Sequence, residues 1–391
     1  MNKTKIKVGI LATSLPQMSI IALVGVVPMA INYYSHVSPT VVQTAFTIPM
    51  LACALTSLTV GRLAAKTGKK PLLVAGVAMI LIFGVMPALF NFSLPLFMVM
   101  TAGIGMGVGC TSPLSTALVP EYFEGHERHS LMGIQSAFVN IGGMTLTFVA
   151  GFLLRTGWRN AFFMYLLMIP LLIASLICLP SGKLAPAPGG PESGGKAKLG
   201  NNILSLYAVF VIYGIMFSVI NTNAGLLVLE RGLGDPAVAS FASSISATTG
   251  IVMGIAYGLV HKTFKRFALP MALATFALGM FTMANAPSLP FFYIGSFFIG
   301  TSVPTAIPTG FSIVTKLTAP YSPMFAISGL LATWFTALFI SPIVINPISY
   351  AIADGTARSR YMIGFAVIFA LCAIAFYAQK KNAWEPKAEV L

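Results

Sequence analysis

The chain has 391 residues, of which 57% are hydrophobic and only 8% are charged, and its mean hydropathy is +0.88. An ordinary soluble domain carries about 25% charged residues, so the composition excludes a soluble globular protein. The net charge of +14 would favour nucleic acid as a partner of a soluble chain, but in a membrane protein the distribution of the charges matters more. We therefore predict a membrane protein with no nucleic-acid partner.

Apolar windows of about 20 residues, the length that a spanning helix needs, recur along the whole chain. In chain order they lie near 8–34, 40–60, 71–91, 94–118, 131–154, 160–179, 203–228, 237–259, 267–286, 289–312, 324–349 and 361–379. These runs are too long and continuous for barrel strands, and open strands cannot face lipid. The sequence therefore predicts an all-α membrane protein with twelve transmembrane helices.

The first apolar stretch follows three lysines, Lys3, Lys5 and Lys7. The apolar core of a secretory signal peptide can also follow basic residues in this way. The stretch runs well beyond the length of such a core and lacks a clear cleavage site between small residues. We interpret it as an uncleaved first membrane helix.

Lys and Arg residues are unevenly divided between the two sides of the predicted helices. With the N-terminus inside, 18 of the 23 fall on the inner side. The outer side keeps Arg155, Arg159, Arg231, Arg358 and Arg360. This asymmetry follows the positive-inside rule, and it predicts that both termini are cytoplasmic.

Residues 180–202 separate two sets of six predicted helices. This stretch is rich in Gly, Pro, Ser and Lys and has no apolar periodicity, which is typical of a flexible linker. We predict an N-terminal six-helix bundle at 1–179, a cytoplasmic linker at 180–202, and a C-terminal six-helix bundle with a short cytoplasmic tail at 203–391. Parallel, pseudo-symmetric halves of this kind are how many transporters create a central site that opens to either side.

The most specific motif is the loop after the second predicted helix. Residues 61–70 have the sequence GRLAAKTGKK, which resembles the signature GxxxDRxGR[RK] that follows helix 2 in the major facilitator superfamily. The positions that fit are Gly61, Lys66, Gly68, Lys69 and Lys70, whereas Ala65 stands where the family usually has Asp. The segments 120–128 and 157–162 also look like segments of bacterial members. Together with the number of spans and the central linker, they extend the resemblance over essentially the whole chain.

The resemblance implies the major facilitator fold, in which two six-helix bundles open a central site to alternate sides of a bacterial inner membrane. It also implies that the loop locks the inward gate, although Ala65 removes the Asp that caps a helix end there. The gating candidates are Gly61, Arg62, Lys66, Gly68, Lys69 and Lys70. Within the family, the sequence most resembles bacterial drug and metabolite efflux members. It departs from them at Thr101, which replaces their helix 4 Arg, and at Gly142-Gly143, which lacks the proline of their helix 5 element.

Ionisable side chains inside a membrane are costly and are functional candidates by default, yet all nine carboxylates fall in predicted loops or at helix ends. Nothing resembles a buried proton relay. If a proton is carried, the candidates are Glu121 at the inner end of helix 4, and Glu230 or Asp235 at the outer end of helix 7. The basic residues also avoid mid-membrane positions, which argues against a strongly anionic substrate and favours a neutral, amphipathic or weakly charged one.

Neutral hydrogen-bonding groups and aromatic rings therefore remain for recognition. Amides in a membrane should face protein or a watery cavity, and bonding between helices is their alternative role. The amides lie on helix 1 (Gln17, Asn32), helix 2 (Gln43), helix 5 (Gln135, Asn140) and helix 7 (Asn221, Asn223). The resemblance places helices 1, 4, 7 and 10, with parts of 2, 5, 8 and 11, around the central cavity. Our substrate-binding candidates are Gln17, Asn32, Asn140, Tyr213, Asn221, Asn223, Tyr293 and Trp334.

We expect a secondary transporter, not an enzyme, that moves a small organic solute by alternating access. Export of a neutral, lipophilic or amphipathic compound is the favoured function. An uptake carrier or facilitator for a neutral metabolite and a non-transporting membrane sensor stay open as alternatives. The expected partners are the solute, the lipid bilayer and a proton or another coupling ion. We expect a monomer without a cofactor, and the four cysteines show no metal-binding spacing.

Overall fold

The computed structural model describes residues 3–90, 93–180, 201–318 and 324–384, and these residues form helices and turns without a strand. The α-helices in chain order are α1 (Lys3–Ser14), α2 (Val27–Tyr33), α3 (Pro39–Thr67), α4 (Lys69–Leu89), α5 (Leu94–Tyr122), α6 (Gly125–Leu154), α7 (Met168–Cys178), α8 (Asn201–Glu230), α9 (Ala237–Phe264), α10 (Ala268–Ala284), α11 (Leu289–Thr318), α12 (Met324–Ile352) and α13 (Ala357–Lys380). Short 3-10 segments occupy Leu15–Met18, Ile21–Val26, Asn160–Leu167 and Lys265–Phe267. The prediction of an all-helical chain is confirmed.

The predicted spans are recovered as long apolar helices. Eleven helices among the described residues are long and apolar enough to cross a membrane, and one of them, Ala237–Ala284, has 48 residues. That run joins α9 to α10 through the 3-10 turn Lys265–Phe267, where Lys265 has a positive φ of 48°. One crossing needs about 20 residues, so the run holds two spans and the fold has twelve membrane helices, as predicted.

The first membrane helix is broken, in contrast to the continuous helix predicted at 8–34. α1 ends at Ser14 and is followed by 3-10 turns at Leu15–Met18 and Ile21–Val26 before α2 begins. Pro16 explains the break, because proline has no backbone N–H and its ring clashes with the carbonyl four residues earlier. Irregular backbone at membrane depth is tolerated only where it is buried in protein or lines a water-filled cavity. The second 3-10 segment is buried almost throughout.

Packing groups the chain into two compact units. The first contains Met1–Ala185 and Asn221–Ile251, and the second contains Pro186–Ile220 and Val252–Leu391. The boundaries fall inside α8 and α9, so the first unit includes the end of α8 and the first half of α9. Most of the predicted linker, residues 181–200, lies outside the described residues.

The first unit has an apolar core at the end that carries the start of α1. Its side chains come from α1, α3, α4, α5 and α6, and Ile10, Leu73, Val119 and Phe123 are at most 1% exposed. At the opposite end, an aromatic group surrounds Phe97, with ring centroids of Phe162 and Trp158 at 5.8 and 6.3 Å. These two clusters pack against the two ends of α5.

In the second unit α10 packs against α11 and α13, where Phe276, Phe292 and Tyr361 are fully buried. Arg360 at the start of α13 is only 3% exposed. Its guanidinium donates to the Gly355 carbonyl (2.9 Å) and to the hydroxyl of Ser349, 3.2 Å away. Arg360 therefore fastens the turn between α12 and α13.

Candidate functional site

Two of the amides singled out by the sequence meet inside the first unit, at the break in the first membrane helix. Gln17, in the 3-10 segment Leu15–Met18, donates from Nε2 to the Ser115 hydroxyl on α5 (2.8 Å). Gln135 on α6 donates to the same hydroxyl (3.0 Å). Gln135 is 5% exposed and Ser115 is fully buried, so these bonds join three membrane segments inside the protein.

Gln135 also approaches two further hydroxyl groups. Its Nε2 lies 3.0 Å from Ser14 Oγ at the end of α1, and 3.5 Å from Thr116 Oγ1 on α5. The Ser14 hydroxyl itself donates to the Ile10 carbonyl (2.8 Å). We call Ser14, Gln17, Ser115 and Gln135 the amide cluster.

Gly142 brings α6 directly against the broken segment. A Cβ atom at this position would lie 2.0 Å from the Leu15 carbonyl oxygen, so only glycine permits the approach. Nearby, Tyr165 donates its hydroxyl to the Ser19 carbonyl (3.1 Å). These contacts fix backbone that the break leaves outside a regular helix, and they hold Gln17 in place beside α5 and α6.

The gating candidates lie where α3 ends and α4 begins. Gly68 has a φ of +88° and separates the two helices, a conformation that glycine adopts without the steric cost of a Cβ. Lys69 is 8% exposed and its Nζ lies 2.5 Å from Glu121 Oε2 at the end of α5. The loop is thus fastened to α5 by an ion pair whose acid comes from α5 and not from position 65.

The other gating candidates have different surroundings. Gly61 and Lys66 are exposed, and Lys70 is half-buried. The side chain of Arg62 lies outside the described residues. A gating role for the set therefore stays a prediction, and Lys69 is the member with a defined ion-pair partner.

A second ion-pair group fastens the start of α1 to the start of α6. Lys7 Nζ lies 2.8 Å from Glu127 Oε1, and Lys3 Nζ lies 3.4 Å from Glu127 Oε2. The hydrogen bond from Lys7, helped by Lys3, holds the pKa of Glu127 below its ordinary value. Glu127 therefore keeps its negative charge near neutral pH.

The three proton-coupling candidates occupy separate positions. Glu121 is paired with Lys69. Glu230 is exposed at the end of α8. Asp235 is exposed and accepts the backbone N–H of Ala237 (2.9 Å) at the start of α9. The contacts of Glu121 and Asp235 stabilise helix packing and a helix start, respectively. A role in proton coupling stays a prediction for all three residues.

Another pair of amides joins α3 to α8 within the first unit. Gln43 is fully buried and donates from Nε2 to Asn223 Oδ1 (3.0 Å) and to the Thr222 carbonyl (3.2 Å). Asn223 is 2% exposed and donates to the Thr222 hydroxyl (2.9 Å). Asn223 therefore holds the end of α8 against the start of α3.

Tyr213 and Trp334 belong to an aromatic core in the second unit. Tyr213 is fully buried, and its hydroxyl lies 2.7 Å from Ser302 Oγ. Its ring centroid is 5.1 Å from the centroids of Trp334 and Phe276. Trp334 is 6% exposed. Core packing therefore accounts for both rings.

The remaining substrate-binding candidates lie apart from the amide cluster. Asn32 is exposed at the end of α2, and Asn140 is half-buried and donates to the Ser136 carbonyl of its own helix (2.9 Å). Asn221 and Tyr293 are half-buried on α8 and α11. In the part of the chain that the structure describes, no group of His, Cys, Asp and Glu is placed to hold a metal ion.

Comparison with known proteins decides the family. The model of the Major Facilitator Superfamily matches residues 9–330. The chain belongs to the major facilitator superfamily. Its curated relatives include Protein TsgA of Salmonella schwarzengrund (strain CVM19633), which is 24% identical over 314 residues that cover 78% of each chain. Protein TsgA of Salmonella typhi is 24% identical over 317 residues, again with 78% of each chain covered.

Solved structures share the major facilitator fold with this chain at low sequence identity. A bacterial homologue of the human lysosomal transporter Spinster, inward-facing and unoccupied, is 15% identical with a TM-score of 0.74, over 99% of this chain and 100% of that chain. A D-xylose-proton symporter is 15% identical with a TM-score of 0.72, over 96% and 98% of the two chains. The nucleoside transporter NupG is 12% identical with a TM-score of 0.75, over 95% and 99%. Membership of the superfamily makes the chain a multi-pass membrane transporter and not an enzyme.

Proposed function

We propose that this major facilitator protein carries a neutral small organic solute by alternating access, and that the solute binds at the amide cluster. The convergence of Gln17 and Gln135 on Ser115, beside a break in a membrane helix, carries the proposal. In many transporters, discontinuous helices form the substrate site near the membrane midplane. Because the converging groups are neutral, they favour a solute without net charge.

The depth of the amide cluster supports this role. The first span runs from Lys3 to Tyr33, and Gln17 lies close to its middle. At a rise of about 1.5 Å per residue, Gln17 is about 20 Å along the helix from its Lys3 end, which places it deep in a hydrocarbon core about 30 Å thick. A solute bound there is at the depth from which it can leave toward either side.

Charge at the Lys3 end of the first unit supports the same conclusion. Lys69 is paired with Glu121, and Lys3 and Lys7 are both paired with Glu127. These ion pairs engage the lysines in contacts between helices, although Glu127 neutralises only one of its two lysines. We therefore assign these lysines to helix packing and not to the binding of an anion.

For direction we propose export across a bacterial inner membrane, by a monomer with both termini in the cytoplasm, on the similarity to efflux members of the family. Proton-coupled uptake is the second candidate, because one solved neighbour is named a D-xylose-proton symporter. If transport in either direction is coupled to protons, Glu121, Glu230 and Asp235 are the candidate carriers.

Flux in liposomes tests the proposal. Purified protein is reconstituted, and entry and exit of labelled D-xylose, uridine and chloramphenicol are followed with and without a pH gradient, against protein-free liposomes. We expect at least one of these neutral probes to cross faster with the protein than without it. A probe that raises the melting temperature of the protein but never crosses would instead indicate a non-transporting sensor.

A further inference from the structure

The amide cluster also indicates which kind of neutral solute fits it, an inference that rests on the proposed function. We infer that the solute is a polyhydroxylated compound of sugar or polyol type. Its hydroxyl groups would donate hydrogen bonds to the side-chain carbonyl oxygens of Gln17 and Gln135. Three features of the cluster carry this inference: the orientation of the amides, the two carbonyl oxygens without a described donor, and the position of the nearest described carboxylate on α5.

The hydroxyl of Ser115 restricts which end of each amide can face it. A serine hydroxyl donates one hydrogen bond and accepts two. Both glutamines lie within 3.0 Å of Ser115 Oγ, so at most one could present its carbonyl oxygen there. If both amide nitrogens face Ser115, the hydroxyl accepts from both and keeps its own hydrogen for the Ser112 carbonyl, 3.5 Å away.

Ser14 fixes the orientation of Gln135 independently. The Ser14 hydroxyl gives its hydrogen to the Ile10 carbonyl (2.8 Å), so toward Gln135 it can only accept. The nitrogen of Gln135 must then face Ser14, and its carbonyl oxygen must point elsewhere.

The side-chain carbonyl oxygens of Gln17 and Gln135 take no part in this hydrogen-bond network. Neither Gln17 Oε1 nor Gln135 Oε1 accepts a bond from any residue that the structure describes; Gln17 is half-buried and Gln135 is 5% exposed. Each can accept two hydrogen bonds. A polar group at membrane depth costs free energy unless a partner meets it. The cluster therefore holds two acceptors for which the described residues supply no donor.

Two neutral acceptors favour a solute with hydrogen-bond donors. The position of the nearest described carboxylate on α5 then decides between hydroxyl and ammonium donors. An ammonium group taken out of water needs a compensating negative charge. Glu121 is six residues beyond Ser115, roughly 9 Å along the helix, and it is already paired with Lys69. Hydroxyl donors need no such charge. A lipophilic solute would leave both oxygens without a partner, so the cluster favours a polyol over it.

Binding to the wild-type protein tests the inference without a variant. Thermal shift and calorimetry compare D-xylose, D-mannitol and myo-inositol with their fully O-methylated counterparts, which keep the oxygens and lose the donors. We expect at least one polyol to bind and its methylated counterpart to bind tenfold more weakly or worse. Gln17→Leu should weaken polyol binding at least tenfold. Gln379→Leu, the same change at a buried glutamine of α13, should leave it unchanged.

Equal binding of a polyol and its methyl ether would overturn the inference, as would a failure of all three polyols to bind. Binding is measured apart from flux, so the two proposals can fail separately. Polyol binding without flux of any probe would remove the transport proposal and keep the ligand class. Flux of chloramphenicol without polyol binding would do the reverse.

Discussion

At the scale of the residue, one serine organises the candidate site. The sequence singles out Gln17 and Gln135, because amides are conspicuous in apolar helices. It gives no such signal for Ser115, since a helical hydroxyl can bond back to its own helix, as Thr116 does to the Ser112 carbonyl (3.1 Å). The choice between the two roles depends on which helix packs opposite, and that is a property of tertiary structure. The four hydroxyl side chains between Thr111 and Thr116 on α5 are the pattern that could have drawn attention to Ser115.

The Lys69–Glu121 pair leads to the first prediction. Glu121→Gln leaves Lys69 with its charge and without its counter-ion. Breaking a fully buried pair costs about 3–5 kcal/mol, and the Glu121 side chain is 30% exposed, so we expect a loss of about 1–3 kcal/mol in unfolding free energy. Thermal unfolding should show a lower melting temperature, which the double variant Lys69→Met/Glu121→Leu partly recovers.

Proton flux separates fastening from coupling at this pair. If Glu121 serves only to hold α4 against α5, Glu121→Gln should keep the pH dependence of transport. An unchanged melting temperature together with lost pH dependence would contradict it and make Glu121 the proton carrier.

The pKa of Glu127 leads to the second prediction. Because the folded-state pKa lies below the ordinary value near 4.3, the carboxylate stabilises the fold fully above that value, and the stabilisation is lost as the pH falls through the folded pKa. The melting-temperature difference between wild type and Glu127→Gln should stay constant from about pH 5.5 to about pH 8 and shrink below about pH 4. A difference that changes near neutral pH would mean that another group titrates in the cluster.

At the scale of the element, hydropathy predicted where the helices lie but not how regular they are. Residues 15–26 are as apolar as the rest of the first span, so a window average passes over the break. Pro16 is the sequence feature behind it, yet proline also occurs inside regular helices of this chain, at Pro49 in α3 and Pro87 in α4. What differs is the support from neighbouring groups, including Gly142 and the Tyr165 hydroxyl.

Gly142 leads to the third prediction. In Gly142→Ala the new methyl group meets a backbone oxygen that cannot rotate away, and overpacking of this kind typically costs about 1–3 kcal/mol, occasionally more. We expect a lower melting temperature and loss of transport. Gly258→Ala on α9 is the matched control, because a Cβ there meets nothing within 4 Å. Equal tolerance of the two changes would show that α6 does not press on the broken segment.

At the scale of the whole molecule, the two halves predicted from the sequence and the two compact units of the structure have different boundaries. The sequence predicts a division at the 180–202 linker, which composition makes visible. Packing places Asn221–Ile251 with the N-terminal helices, and composition carries no sign of it because the change falls inside two continuous apolar helices. The bond between Gln43 and Asn223 is one of the contacts that produce it.

That contact leads to the fourth prediction. If the two six-helix bundles predicted from the sequence move apart in alternating access, the end of α8 parts from the start of α3 during each cycle. Linking Gln43→Cys to Asn223→Cys with a short cleavable thiol reagent should therefore stop transport, and reduction should restore it. The two variants that carry only one of these substitutions, treated in the same way, should stay active. Continued flux with the link in place would show that this contact persists throughout the cycle.

The most direct test of the central claim, that a neutral solute crosses through the amide cluster, is flux in proteoliposomes by matched glutamine variants. Wild type, Gln17→Leu and Gln379→Leu are reconstituted at equal density, and the flux of the best neutral probe is compared. We expect flux to fall tenfold or more in Gln17→Leu and to stay unchanged in Gln379→Leu, because Gln17→Leu removes one of the two carbonyl acceptors of the amide cluster. Equal flux by Gln17→Leu and wild type would contradict it and place the solute elsewhere in the protein.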